Sequence, residues 1–349
     1  MISKDDEVCY LPFYMAEISD NGNVYPCCPR FVDFYSIGNL FENDFQEIWF
    51  SEKANNFREM LLNSNYSLCN RNICTGFSPQ KKEQVLYEFK KNSSCKFLRL
   101  AYNNVCNIAC RTCRDELKLH DTDKQKYITK KIMPLLENIE KIQMSTAGDV
   151  FASKDGIELL KYVINNYPNI SLMIDTNGIL LTPKLYETLK LRGRIQDLQI
   201  SIPGATKKTY EKIVCKGNFD AVMRNLKFIS QEKEKGNIHS VYINMVISKY
   251  NYKEMIKMAK IVKKLNLSVR FTCYQPWEHT TLAKKYEELA VFEPNNPLYK
   301  SFLKQLKKKE LLFDCCSFEP RINPTLIFEN QKENSFIDFL KAFLMKNKS

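Results

Sequence analysis

What this 349-residue chain lacks narrows its class before any motif is read. No apolar run approaches the roughly 18 residues needed to cross a bilayer, so no membrane span is expected. The first residues, Met-Ile-Ser-Lys-Asp-Asp-Glu-Val, have neither a basic start nor an apolar core and do not read as a signal peptide. Without export, a reducing cytoplasm is the expected compartment, where disulfides are rare. Histidine is nearly absent, with only His120, His239 and His279. Any metal site must therefore rely on thiolate, which suits iron–sulfur or soft metals. Glycine is scarce too: 10 residues, against an average near 7%. No internal repeat or low-complexity tract is present.

Cysteine, by contrast, is abundant. The 13 cysteines are an odd number that cannot all pair, and in a reduced compartment they read as metal ligands. Hydrophobic content of 44% and charge content of 26% are ordinary for a globular protein. The length allows one large domain plus a smaller one. The net charge of +12 is mostly lysine, dense over 253–264 and 300–309. A nucleic-acid footprint would add arginine and aromatics at base-reading positions. That pattern is missing, so the lysines read as solvated helix faces and no nucleic-acid partner is expected.

Composition divides the chain into 1–80, rich in cysteine and turn signals; a polar, lysine-rich linker over 81–95; a β–α alternation over 96–290; and a helical segment over 291–349. The β-type runs are 97–101, 141–145, 171–174, 198–202, 241–247 and 268–274, with helical patterns between them. Six β–α units in series predict a parallel sheet. An open doubly wound sheet and a curved, incomplete TIM-like barrel both satisfy this pattern, and periodicity alone does not choose.

Chemistry in either architecture gathers at the carboxyl ends of the strands. After the first run come Cys106, Cys110 and Cys113, a C-x3-C-x2-C array with no fourth cysteine until Cys215. Clusters that only carry electrons take four thiolates, and structural zinc sites are also closed by four ligands. Three thiolates on a [4Fe–4S] cube leave one iron open. Beyond the next three runs stand Ala147-Gly148-Asp149, Thr176-Asn177-Gly178 and Ser201-Ile202-Pro203-Gly204-Ala205-Thr206. Three of the scarce glycines thus fall at consecutive strand ends, where the backbone turns sharply or approaches a ligand.

Together with Tyr210 and Phe219-Asp220, these motifs resemble the radical S-adenosylmethionine superfamily over about 96–275, and within it the members with SPASM or Twitch auxiliary-cluster domains. The resemblance implies a partial (β/α)6 TIM-like barrel in which Cys106, Cys110 and Cys113 hold a [4Fe–4S] cluster with S-adenosylmethionine on its open iron. It places Ala147, Gly148 and Asp149 along the methionine amino group, Ser201 on the methionine or ribose, and Asn177 near it. It further implies cleavage to a 5′-deoxyadenosyl radical that takes a hydrogen atom from a peptide or protein side chain, or from a small carbohydrate-type metabolite. An electron donor such as flavodoxin or ferredoxin follows as a partner. Thr112 stands where many members carry an aromatic, and Pro203 where relatives often have an acid.

Residues 1–80 resemble the SPASM/Twitch auxiliary domain, here placed before the barrel. Cys9, Cys27, Cys69 and Cys74 are the expected ligands of one auxiliary [4Fe–4S] cluster, with Cys28 as the substitute; a zinc knuckle on the same thiolates is the alternative. A non-catalytic iron–sulfur or zinc protein is the corresponding reading of the whole chain. Cys95 and Cys215 read as plain thiols. Cys273, ending the sixth run, is expected at the barrel mouth as a hydrogen-atom donor. His279 reads as a loop residue, and Cys315-Cys316 carry no assigned role.

Overall fold

The computed structural model describes residues 7–114, 116–144, 147–275 and 285–325. Its centre is a ten-stranded sheet: β1 (Met15–Ser19), β2 (Asn23–Tyr25), β3 (Gly38–Asn39), β4 (Phe97–Ala101), β5 (Lys141–Met144), β6 (Ser171–Thr176), β7 (Ile195–Ser201), β8 (Ile238–Ile247), β9 (Ser268–Cys273) and β10 (Cys316–Phe318). All six expected runs are strands. The spatial order is β10-β9-β8-β7-β6-β5-β4-β1-β2-β3. In this order every neighbouring pair from β10 to β1 is parallel, and β2 pairs antiparallel with both β1 and β3.

This order separates the two architectures. A doubly wound sheet reverses its strand order at a switch point, whereas β4 to β9 follow one another without reversal. The sheet also curls. Arg30, between β2 and β3, donates from Nη2 to Gln275 Oε1 just after β9 at 3.1 Å. The fold is an α/β partial barrel, open between its two edges.

Strand alternation sorts the side chains. On β6, Leu172, Ile174 and Thr176 are buried while Ser171, Met173 and Asp175 are half-buried. The buried set faces the helices: a Cβ at Gly178 would meet both Ile200 of β7 and Val222 of helix Phe219–Glu234. The half-buried set faces the barrel lumen. Crossover helices start on hydroxyl or amide caps, with Ser153, Thr182, Thr206 and Asn218 accepting from the first turn of four of them.

Two segment assignments change. Residues 81–95 are no linker: Lys82–Lys91 is a helix whose Val85 packs with Val8, Phe13, Phe57 and Leu61 in a second core. The segment from 291 is helical at Tyr299–Leu306 but then adds β10 to the sheet edge. The part of that segment beyond 325 lies outside the described residues, as does His279. Among the described residues no helix is long and apolar enough to cross a membrane.

Candidate functional site

The loop after β4 is built by borrowed hydrogen bonds. Cys106 N donates to Lys118 O at 2.8 Å, and Cys113 N to Cys110 O at 2.9 Å. Ala109–Cys110 forms a short antiparallel pair with Val214–Cys215, and Arg111 N donates to Ile213 O at 2.8 Å. Cys106 is buried, Cys110 half-buried and Cys113 exposed. Burial raises the Cys106 thiol above its ordinary range, with the Asp149 carboxylate adding to it, and burial raises Cys110 likewise, helped by Cys113. Such thiols ionise when a metal displaces the proton.

The neighbouring strand ends close on this loop. A Cβ at Gly148 would meet Val105 O at 2.5 Å and Asn103 O at 2.6 Å, so only glycine permits this approach. Asn177 Nδ2 donates to Cys106 Sγ at 3.7 Å and to Asn107 Oδ1 at 2.8 Å, which holds a cysteine rather than leaving the amide free. Asp149 also differs from its expected role. Its Oδ2 accepts from Thr176 Oγ1 and Asn177 N, both at 2.8 Å, and its Oδ1 from Phe151 N at 3.0 Å. That carboxylate is fully engaged as scaffold. Ser201 is half-buried on the lumen face, level with Asn244 and, one strand on, Arg270.

Sequence reasoning missed three contributors. The Arg114 guanidinium bridges Asn104 O and Ala147 O, tying the cysteine loop to the glycine turn. Glu254 accepts from Ala205 N, Thr206 N, Thr206 Oγ1 and Thr209 Oγ1, and so shapes the turn after β7. Glu17 and Arg99 form an ion pair of 2.8 Å in the lumen. It continues through Gln143 to Asp175, with bonds of 2.9 Å at each step. Burial pushes Asp175 up to about 7, against the pull of Arg99 and Gln143. Only the parity of single residues on each strand could have signalled this network.

Cys273 is a correction. It alternates with Val269 and Phe271 on the helix-facing side of β9, is 2% exposed, and belongs to the apolar core. Its thiol is raised by burial and by Glu319, away from the lumen that Arg270 and Thr272 face. Its side chain faces the core rather than the lumen, although the residue ends β9.

The N-terminal cysteines separate cleanly. Cys9, Cys27, Cys69 and Cys74 line one pocket together with Tyr66, Arg71 and Phe77. Tyr66 braces it: its hydroxyl oxygen accepts from Cys9 N at 3.3 Å and its carbonyl from Cys69 N at 2.8 Å. Burial lifts Cys27 far above its ordinary value and Cys69 to about 11. Cys28 does not line the cavity; after burial, Glu17 and Arg99 of the lumen are the charges that act on it. Among the described residues no three Cys, His, Asp or Glu side chains close on a single-ion site. Four thiols gathered on one pocket without closing on a single-ion site fit a cluster better than zinc, whose Zn–S bonds of about 2.3 Å demand a tight tetrahedron.

Two family models match this chain: an iron-sulfur cluster-binding domain, SPASM, over residues 9–75, and the radical SAM superfamily over 101–266. The chain belongs to the radical SAM superfamily. The first match spans all four cavity cysteines and the second the cysteine loop with its strand-end turns. Membership brings a [4Fe–4S] cluster with S-adenosylmethionine, and the SPASM region brings an auxiliary iron–sulfur site. Mycofactocin maturase MftC of Mycobacterium tuberculosis (strain CDC 1551 / Oshkosh) is 25% identical over 186 residues, 52% of this chain and 45% of that protein. GTP 3',8-cyclase of Alkaliphilus metalliredigens (strain QYMF) is 28% identical over 191 residues, 52% of this chain and 57% of that one. The S-adenosyl-L-methionine-dependent 2-deoxy-scyllo-inosamine dehydrogenase of Niallia circulans is 33% identical over 88 residues, 24% and 34% of the two chains. The chain spans about half the length of the curated relatives it matches. A solved structure of anSMEcpe with bound AdoMet aligns with a TM-score of 0.46 and 17% identity, over 64% of this chain and 61% of that one.

Proposed function

We propose that this chain is a radical S-adenosylmethionine enzyme with one auxiliary [4Fe–4S] cluster, acting on a polar substrate in the barrel lumen. The observation that carries the reading is the pairing of a three-thiol loop with a side-chain-free glycine turn packed on its backbone. When bound, cluster and S-adenosylmethionine together supply one-electron cleavage to a 5′-deoxyadenosyl radical. Cys106, Cys110 and Cys113 would hold the cluster, and the backbone of Ala147 and Gly148 would take the methionine amino group, with Ser201 beside it. Arg114 and Asp149 keep those groups in place.

Cys9, Cys27, Cys69 and Cys74 would hold the auxiliary cluster with no iron left open, which favours electron transfer over substrate ligation. Arg30 reaches from the segment just past Cys27 and Cys28 across the barrel opening to Gln275, setting the auxiliary site beside the lumen. The lumen's Glu17, Arg99, Gln143 and Asp175 row favours a substrate rich in hydrogen-bonding groups. A peptide or protein side chain is the first substrate class, as the maturase relatives suggest, and a carbohydrate-type metabolite is the second. An electron carrier such as flavodoxin or ferredoxin completes the system. Anaerobic protein loaded with iron should hold roughly eight irons, two cubes' worth. Dithionite and S-adenosylmethionine should then yield 5′-deoxyadenosine; a zinc-only protein that yields none would overturn the reading.

A further inference from the structure

The outer face of the cysteine loop carries a collar of cations. Cys113 is exposed, and so are Arg111 before it and Lys118 and Leu119 beyond it. Leu119 is 52% exposed. Backbone hydrogen bonds fix which residues stand side by side. Cys106 N donates to Lys118 O at 2.8 Å, and Arg111 N to Ile213 O at 2.8 Å. Arg111 Nε donates to Lys212 O at 2.9 Å. Val214 and Cys215 pair with Cys110 and Ala109, so Lys212 and Lys216, both exposed, flank the short strand that braces the loop.

Neighbouring acids do not neutralise these charges. Among the described residues Arg111, Lys118, Lys212 and Lys216 make no ion pair, whereas Lys207, at the start of the same helix, is paired with Asp220. Over 111–118 and 207–216 the sequence has seven lysines and arginines against three acids. Lysines on solvated helix faces need no partner. This group differs in being tied through the backbone to three thiols and in having an exposed apolar residue beside it.

We propose that this face is the docking surface for an acidic one-electron carrier protein, so that the reducing electron enters at the cluster of Cys106, Cys110 and Cys113 rather than through the auxiliary site. The proposal rests on the assignment of that cluster. Its physical basis is charge complementarity: a positive collar speeds encounter with a negatively charged partner and orients it. Electron-transfer encounters are also small, so one loop and its brace suffice. The carrier gives up one electron and the cluster takes up one, with no bond made or broken. The auxiliary pocket presents less charge. Arg71 is the cation among the residues that line it, and its guanidinium lies 3.6 Å from the centroid of the Phe77 ring.

The test uses iron-loaded enzyme with reduced flavodoxin as the probe, following reduction of the three-cysteine cluster by rapid-freeze EPR at low salt. Lys118→Glu combined with Lys216→Glu should slow reduction about tenfold. Lys81→Glu combined with Lys90→Glu makes the same change in net charge at the two ends of helix Lys82–Lys91, which packs into the core that includes Cys27. That pair should leave the rate unchanged. Photoreduced deazariboflavin, small and uncharged, should reduce the cluster at one rate in all three proteins, which shows that the substituted loop still holds it. The unsubstituted enzyme supplies a measurement that needs no variant. Its rate with flavodoxin should fall steeply as salt shortens the Debye length from about 10 Å at 0.1 M to about 3 Å at 1 M, and its rate with deazariboflavin should not.

A flat salt profile overturns the proposal, and so does equal slowing by both pairs of substitutions, which would reflect net charge alone. Slowing by the Lys81 and Lys90 pair only would move electron entry to the auxiliary site. An enzyme with no three-cysteine cluster reducible by flavodoxin or deazariboflavin would instead refute the functional reading beneath.

Discussion

The two cysteine sites of this chain differ by one thiol, and that difference separates their chemistry. Around β4 the three thiols come from one short loop and grade from buried Cys106 to exposed Cys113. In the N-terminal region four thiols come from distant stretches, and all of them line one pocket among aromatic side chains. Three thiols on a [4Fe–4S] cube would leave one iron open at the first site, whereas four would close the second. Local spacing suffices to draw the first, whereas the second exists only once Cys9, Cys27 and the Cys69–Cys74 loop have been folded together.

The comparison breaks most readily at the open site. Alanine at Cys106, Cys110 or Cys113 should abolish 5′-deoxyadenosine formation while leaving roughly four irons per chain on the auxiliary site; normal product from any of these variants would contradict the assignment. Gly148→Ala comes next. With Val105 O only 2.5 Å from the new methyl, the turn must move off the cysteine loop. A stability loss of about 1–3 kcal/mol is expected, with a matching fall in S-adenosylmethionine cleavage, readable by thermal melting and product assay.

At the closed site, Cys69→Ala should halve the iron content and spare cleavage, whereas Cys28→Ala should leave the iron unchanged. Iron analysis of the two variants side by side decides which residue completes the cavity.

A smaller effect is expected in the lumen. Asp175 holds its proton up to about 7, above the ordinary carboxylate range near 4, because burial opposes its charge. The folded protein therefore binds more protons than the unfolded chain between about pH 4 and pH 7, and this group costs stability as pH rises through that window. Asp175→Asn should flatten this slope, measured by denaturant unfolding at pH 5 and pH 8; an unaltered slope would place the titration elsewhere. Smallest of all, Cys273→Ala should leave turnover unchanged and cost about 1 kcal/mol through a small core cavity. Loss of activity at full stability would restore it as a hydrogen-atom donor.

The alternation of β-type runs and helical patterns was readable because parallel strands buried on one side leave repeated apolar signatures. The cysteine loop and the three glycine turns were readable because their spacing is local. Asp149 shows where this stops. Its position at a strand end was right, but besides the local Phe151 N the carboxylate turns to Thr176 and Asn177, a choice made by the end of another strand. Cys273 shows it again, since one step of strand parity moves a side chain from lumen to core. The linker at 81–95 failed for a related reason: its many lysines hide a helix anchored by buried Val85 and by Phe89, which packs edge-on against Phe13.

By itself, then, the order of residues determined the β–α succession, the three-thiol loop and the glycines at consecutive strand ends, because each is set within a few neighbouring positions. Tertiary structure alone decided that the strands wind in one direction into an open barrel, that four remote cysteines share a cavity from which Cys28 is left out, and that Arg99 and Asp175 meet through Gln143. Those outcomes depend on which strands lie side by side and which way each side chain then faces, and neither quantity is local.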